Sequence, residues 1–218
     1  MDELRLECVT RKPDIVIVTE SWLSAKHEDD CFLMNDYFLF RQDRINKIGG
    51  GTLVWIRHTI PALRINPAQA IQVGEFVFLS FKFFTRLYIL CASYLPPNRT
   101  AFEDECVNDF IISVLDSFCD NHPNCHVLIC GDFNRFDTSI LMSSFDPKFN
   151  PIIWFPKLLI QLEAMRSWIK SWLATLLLST TNTLKLVLHL FLVDVDHTVR
   201  FYSTQLKANT QKMLLFCF

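Results

Sequence analysis

Glycine is scarce in this sequence and is missing from its C-terminal part. The 218 residues include five glycines, and none of the 87 residues that follow Gly131 is a glycine. Average usage of roughly 7% would place about six there. Seven of the eight cysteines precede Gly131, and charge changes in the same region. Residues 1–137 hold 19 acidic and 13 basic side chains, whereas residues 138–218 hold 4 and 8. We therefore treat 1–137 and 138–218 as two compositional parts.

Other missing features exclude several classes of protein. The sequence has no Cys-x-x-Cys pair, so a zinc knuckle is unsupported and buried, reduced thiols are the simpler interpretation. The charged first ten residues are unlike a secretory signal peptide. A membrane span needs about 20 apolar residues. The best candidate, residues 168–193, contains an uncharged run of 14 residues at 171–184, so membrane attachment is not expected. A net charge of −2 argues against nucleic-acid binding by bulk positive charge.

The first part of the chain has the pattern of an α/β fold. Continuous runs of apolar residues predict strands buried on both faces; they lie at 15–18, 52–57, 75–84, 87–94 and 126–130, with a shorter strand at 37–41. Helices are predicted at 2–11 and 101–120, the second with apolar residues at four-residue spacing. Thr100 and Glu103 have the spacing of a capping box. Residues 152–178 have an apolar pattern compatible with a helix, and 184–193 are compatible with either a helix or a strand.

Polar side chains follow three of these strands where each one ends. Glu20 comes after the first strand, Tyr94 ends another, and Asp132 and Asn134 follow a third. Catalytic groups often cluster where the strands of a sheet end at one rim. Carboxylate and carboxamide oxygens suit Mg²⁺ or Mn²⁺, which can activate water and neutralise phosphate charge. The pattern is compatible with a divalent-cation site at this rim.

Each of these residues also has a simpler structural interpretation. Glu20 could cap a following helix, and Asp132 with Asn134 could form an ordinary turn. Tyr94 could be a packing residue, and the three glycines 49–51 could be only a flexible turn. The individual residues leave both interpretations open.

Four segments taken together carry a resemblance. They are KPDIVIVTESWL at 12–23, GGGTLVWIR at 49–57, ASYLPPN at 92–98 and LICGDFN at 128–134. In this order they resemble the endonuclease/exonuclease/phosphatase superfamily of DNase I-like proteins. They are most similar to the apurinic-like endonuclease domain of LINE-type non-LTR retrotransposons. The resemblance covers about residues 1–137.

The resemblance implies a four-layered α/β sandwich and a Mg²⁺- or Mn²⁺-dependent phosphodiesterase. Glu20 matches the metal-binding glutamate, and Tyr94 matches the tyrosine near the scissile phosphate. Asp132 matches the aspartate that orients or activates water, and Asn134 matches the asparagine that helps to hold it. Such domains nick target DNA so that the freed 3′-OH primes reverse transcription. The implied partners are DNA and a reverse transcriptase domain of the full-length element.

The C-terminal part departs from the family pattern. The family closes its site with Ser-Asp-His, and the only candidate here is Asp196 with His197, preceded by Val195. Lys185 stands where a supporting acid is expected. The family's first strand, which carries an asparagine near the metal, has no counterpart before residue 12. The loss of one metal ligand and an edge strand left unpaired are expected to weaken both the site and the fold.

One hypothesis explains these departures. Residues 1–137 would be the family-like domain without its first strand. Residues 138–218 would be a degenerate or frame-shifted remainder, with the frame regained near Asp196. The expected function is then an impaired, retrotransposon-derived DNA endonuclease domain. The alternatives are a non-catalytic scaffold or decayed translation product of the same fold, and a phosphatase of the same superfamily.

Overall fold

The computed structural model describes residues 2–45 and 47–144, together with the backbone of four later strands. There are three α-helices, α1 (Asp2–Arg11), α2 (Ala101–Asn121) and α3 (Thr138–Ser144). A short 3-10 helix at Asp29–Phe32 lies between the first two strands. The strands are β1 (Ile15–Thr19), β2 (Tyr37–Gln42), β3 (Thr52–Arg57), β4 (Ala62–Ile65), β5 (Glu75–Phe83), β6 (Arg86–Tyr94), β7 (His126–Asp132), β8 (Ile152–Trp154), β9 (Val187–Leu190), β10 (Tyr202–Ala208) and β11 (Gln211–Cys217).

Two mixed sheets form the body of the molecule. The first has the strand order β2-β3-β1-β11-β10-β9, and the second has the order β4-β5-β6-β7-β8. In the second sheet β5 and β6 are antiparallel neighbours, whereas β6, β7 and β8 run parallel. The parallel strands β6 and β7 therefore end at the same rim, and α2 is the crossover between them.

Three apolar clusters show how the layers pack. One contains Ile15, Ile17 and Val54 of the first sheet with Leu90 and Leu128 of the second, so it lies between the sheets. The second cluster packs the outer face of β5, β6 and β7 against α2. The third packs α1 against the outer face of β1 and β3. The order is therefore α1, first sheet, second sheet, α2.

The structure confirms the α/β fold class and most of the predicted elements. All six predicted strands of the first part form, with ends that differ from the prediction by no more than two residues. Helix α2 begins with the predicted capping box. The Thr100 hydroxyl accepts the N–H of Glu103 at 3.2 Å, and the Glu103 carboxylate accepts the N–H of Thr100 at 2.7 Å. The box satisfies donors at the helix start that would lack partners inside the helix.

Strand β1 has a neighbour on each side, because β3 lies on one side and β11 pairs with it in parallel on the other. One expectation differs from the structure. The region 152–178 begins as strand β8, which extends the parallel run beside β7. In the ambiguous region 184–193, residues Val187–Leu190 form strand β9. Pairing with a neighbouring strand gives the backbone N–H and C=O groups hydrogen-bond partners. This outweighs a weak apolar pattern that is compatible with a helix.

Within the described ranges, no helix has the length and apolar character needed to cross a membrane. Apart from β9, the candidate span at 168–193 lies outside the described residues.

Candidate active site

The ends of β1, β6 and β7 bring three of the candidate side chains together. Tyr94 and Asp132 are register partners at the last position of the β6–β7 pair. Glu20 follows β1 in the facing sheet, and it lies close enough to Tyr94 to raise the pKa of the Tyr94 phenol. Burial is the largest cause that raises this pKa, and the charges of Glu20 and Asp132 raise it further. The three groups therefore form one electrostatically connected cluster.

Glu20 is held in a left-handed backbone conformation. Its φ is +56°, and Trp22 two residues later has a φ of +57°. Such angles cost a residue other than glycine on the order of 1–3 kcal/mol, and they persist where surrounding contacts enforce them. Here the N–H of Trp22 donates to the carbonyl of Gly50 at 2.9 Å. The backbone after β1 is thus tied to the triple-glycine loop.

The triple-glycine loop, Gly49–Gly51, holds carboxylates. All three glycines have a positive φ, between +74° and +93°. The N–H of Gly50 donates to the Glu20 carboxylate at 3.0 Å, and the N–H of Gly51 donates to that of Glu75 at 3.3 Å. A freely flexible turn is therefore the wrong interpretation of these residues. Two of the loop's donors are already used by side chains of this chain, which positions Glu20.

The loop after β7 holds Asp132 and Asn134 by two kinds of contact. Asp132 Oδ1 accepts the N–H of Asn134 at 3.0 Å, which closes an Asx turn. The Asn134 amide donates to the carbonyl of Leu95 at 2.7 Å, and the N–H of Leu95 donates to the carbonyl of Asp132 at 2.8 Å. Asn134 has a φ of +48°. The simpler interpretation as a turn is therefore correct for the backbone, and this turn lies at the end of β7 beside Tyr94.

Asp132 is in an environment suited to accepting a proton. Burial is the largest cause that raises the pKa of its carboxyl, and the negative charge of Glu20 adds to it. The N–H of Asn134 and the charge of Arg99 act in the opposite direction. A carboxylate whose pKa is raised towards the working pH is a better general base than a solvated one.

Sequence reasoning missed three charged residues around this cluster. Arg44 and Glu75 form a buried ion pair beside Tyr94, with Arg44 Nε 2.7 Å from Glu75 Oε1. Arg99 follows the Leu-Pro-Pro-Asn turn, and its side chain is only 2% exposed. It donates to Asp104 at 2.6 Å and to the carbonyl of Pro96. The position of Arg99 directly after the Tyr-Leu-Pro-Pro-Asn segment could have identified it as a site residue. No local sequence pattern distinguishes Arg44 or Glu75 from other charged residues.

Asp196 and His197 lie outside the described residues, as does Lys185. Their predicted roles at the site stay predictions.

The described residues contain no cluster of three or more His, Cys, Asp or Glu side chains that could hold a metal ion. Glu20 and Asp132 supply two carboxylates, which act on the same Tyr94 phenol. Mg²⁺ is commonly bound by one or two carboxylates, with water and substrate phosphate completing its coordination. Two carboxylates at these strand ends are compatible with a magnesium ion of that kind.

The solved structures to which this chain is similar include two of TDP2 and one of Nocturnin. Truncated TDP2 from Caenorhabditis elegans is 13% identical, with a TM-score of 0.44, over 61% of this chain and 53% of that one. TDP2 from D. rerio, complexed with a single-strand DNA product, is 16% identical, with a TM-score of 0.43, over 64% of this chain and 55% of that one. The human Nocturnin catalytic domain, with bound sulfate anion, is 13% identical, with a TM-score of 0.46, over 66% and 60%. This chain thus spans little more than half the length of these structures.

No curated protein matches this sequence. A family model does match it, over residues 1–205, and its description is the Endonuclease/Exonuclease/phosphatase family. The match includes all four sequence segments and the ends of β1, β6 and β7 at which the candidate side chains lie. The chain belongs to the Endonuclease/Exonuclease/phosphatase family.

Proposed function

We propose that this chain carries a metal-dependent DNA endonuclease site that hydrolyses phosphodiester bonds, and that its activity is impaired. The observation that supports this most is the cluster of Glu20, Tyr94 and Asp132 at the ends of three strands. Glu20 and Asn134 both have left-handed backbone angles in this cluster. Strain concentrated at candidate side chains is typical of a functional site.

The proposed roles follow from the contacts of each side chain. Glu20 would hold Mg²⁺, which when bound supplies positive charge to a phosphate oxygen. Asp132 would accept the proton of the attacking water, since burial already favours its protonated form. Asn134, whose side-chain amide donates a hydrogen bond to the carbonyl of Leu95, would orient that water. The Tyr94 phenol, which lies beside Glu20 and Asp132, would donate to the phosphate when substrate is bound.

The proposed origin is a LINE-type retrotransposon, with target DNA as substrate and a reverse transcriptase domain as the natural partner. The order of the four segments supports it, as does the T-E-S-W-L sequence at 19–23. In this proposal residues 138–218 are a degenerate or frame-shifted remainder of the domain. An intact genomic reading frame across 145–190, with close relatives, would contradict that part of the proposal.

Nicking of supercoiled plasmid DNA tests the proposed activity. We expect the purified chain to convert supercoiled to open-circular DNA slowly in Mg²⁺, and not in EDTA. Glu20→Gln and Asp132→Asn should each lower the rate by roughly 100-fold or more, as expected when a metal ligand or general base is lost. The matched controls are Glu105→Gln and Asp109→Asn, which change exposed carboxylates on α2. Nicking that survives both site substitutions would overturn the assigned roles.

A non-catalytic scaffold is the second candidate function. The observation that favours it is that the described residues contain no group of three or more His, Cys, Asp or Glu side chains that could hold a metal ion. In that case the chain would fold cooperatively and show no nicking in Mg²⁺ or Mn²⁺. Release of inorganic phosphate from a nucleoside monophosphate, without nicking, would instead indicate a phosphatase.

A further inference from the structure

Arg44 and Glu75 form a fork-to-fork ion pair in the interior. Arg44 Nε lies 2.7 Å from Glu75 Oε1, and its Nη2 lies 3.0 Å from Oε2. The side chains of Arg44 and Glu75 are only 14% and 6% exposed. A bidentate guanidinium–carboxylate contact fixes the plane and direction of the guanidinium, which a single hydrogen bond does not.

The rest of the structure holds this pair in place. Glu75 begins β5, and its Oε2 also accepts the N–H of Gly51 at 3.3 Å. The carbonyl of Glu75 accepts the hydroxyl of Thr52 at 3.1 Å, which joins the two sheets. A Cβ atom on Gly50 would lie 2.5 Å from the Arg44 guanidinium carbon. The glycine loop therefore makes room for Arg44.

The clamped guanidinium faces Tyr94. Its carbon lies 5.2 Å from the centre of the Tyr94 ring, within the range of a cation–π contact. Glu75 and Tyr94 are register partners in the β5–β6 pair, so the clamp and the ring are neighbours in one sheet. Arg44 also interacts electrostatically with Glu20, which acts on the Tyr94 phenol as well.

We propose that Arg44, held by Glu75, is a positioning residue that fixes the Tyr94 ring against Glu20 and offsets the negative charge at the site. This inference rests on the proposed function, since it assigns Arg44 a part in the chemistry of the same cluster. Arg44 acts through Tyr94 and does not contact the substrate. If the ion pair were purely structural, either order of the two charges would serve. If it positions Tyr94, the positive charge must lie over the Tyr94 ring.

The test compares variants that separate these two roles. Arg44→Gln removes the charge, and Arg44→Lys keeps a charge but loses the fork. The double variant Arg44→Glu with Glu75→Arg restores a pair and reverses it. Arg86→Gln is the matched control, because Arg86 begins the strand that Tyr94 ends.

Three readouts are needed. Tyrosine labelled with ¹³C at Cζ gives four signals, one for each tyrosine, and Tyr94→Phe identifies that of Tyr94. This signal is recorded in EDTA, so it depends on neither metal nor activity. Plasmid nicking in Mg²⁺ then gives kcat and KM, and thermal melting reports whether each variant is folded.

We expect Arg44→Gln to shift the Tyr94 signal and to lower kcat at least tenfold, with KM changed less than twofold. Arg44→Lys, which keeps the positive charge but loses the fork, should recover part of both, and Arg86→Gln should change neither. The reversed pair should recover melting temperature without recovering the Tyr94 signal or kcat.

Recovery of the signal and kcat by the reversed pair would overturn the proposal, because the pair would then be only structural. An unchanged Tyr94 signal in Arg44→Gln would also overturn it. If the reversed pair does not fold, Arg44→Lys decides between the two roles. If the fork has only a structural role, Arg44→Lys should lose the Tyr94 signal and kcat as fully as Arg44→Gln does. If the unmodified chain does not nick DNA, the proposed function fails, and the Tyr94 signal alone decides the role of Arg44.

Discussion

Tyr94 and Asp132 lie opposite each other in the parallel pairing of β6 with β7, and the pair before them is Ser93 with Gly131. A Cβ atom on Gly131 would overlap the carbonyl oxygen of Ser93. The two candidate side chains are thus brought side by side by a glycine that lets two strands approach closely.

Alanine substitutions at three glycines should destabilise the protein in a definite order. Gly49→Ala meets no close atom, so it should cost about 1 kcal/mol for the left-handed angle alone. Gly50→Ala adds a contact with the clamped Arg44 and should cost about 2 kcal/mol or more. Gly131→Ala meets backbone and should cost about 3 kcal/mol or more. Urea unfolding followed by circular dichroism measures the three values. Equal losses at Gly49 and Gly131 would contradict the close approach of β6 and β7.

Removing one member of the Arg44–Glu75 pair should be costly. Glu75→Gln leaves a buried guanidinium without its countercharge, and such losses are about 3–5 kcal/mol. Urea unfolding at neutral pH measures the change. The control is Asp29→Asn, because Asp29 pairs with Arg41 while 65% exposed. Exposed pairs contribute less than about 1 kcal/mol, so this variant should remain close to the unmodified protein. Similar losses in both variants would argue against a buried pair.

Asp132 should make stability depend on pH in a specific direction. Burial raises the pKa of its carboxyl in the folded chain, so folding favours the protonated form. The stability this provides is fully present below the unfolded pKa and is lost as the pH rises through the folded pKa. Asp132→Asn, which can keep the Asx turn, should therefore stabilise the chain at neutral pH and have little effect near pH 3. Urea midpoints in EDTA across this range measure it, with Asp109→Asn as control. A gain that is equal at every pH would contradict the assignment.

The capping box should contribute measurably to α2. Thr100→Ala removes the hydroxyl that accepts the N–H of Glu103, and the loss of such a cap costs about 1 kcal/mol. The hydrogen bonds from Thr100 lower the pKa of the Glu103 carboxyl. Their contribution is present above the unfolded pKa and is lost as the pH falls through the folded one, so the effect of Thr100→Ala should shrink in acid. Unfolding at pH 7 and pH 3 tests this. Ser113→Ala, in the middle of the same helix, should change stability little.

The local elements were predictable because their signals are local. Residues 101–121 show the helical spacing and carry both members of the capping box, and runs such as 126–130 predict buried strands without further information. Strand β4 (Ala62–Ile65) was not predicted, since it is short, lies at a sheet edge and has two exposed residues. The short helix α3 was also not predicted, because it lies where the composition of the sequence changes.

The candidate site was predictable in part. The four segments identified Glu20, Tyr94, Asp132 and Asn134 as side chains at strand ends. They gave no sign that Arg44 and Glu75, which are 31 residues apart, would meet beside Tyr94. They also did not predict the left-handed angles of Glu20 and Trp22, which depend on hydrogen bonds to a loop about thirty residues away.

The sequence by itself determined the family, the strands and the polar groups that end them, because apolar periodicity and short motifs act within a few residues. Only the tertiary structure decided which strand ends meet. The β6–β7 register places Tyr94 opposite Asp132, and the facing of the two sheets brings Glu20 to them. These relationships come from long-range pairing and packing, whose free energy is gained only when distant segments are in contact.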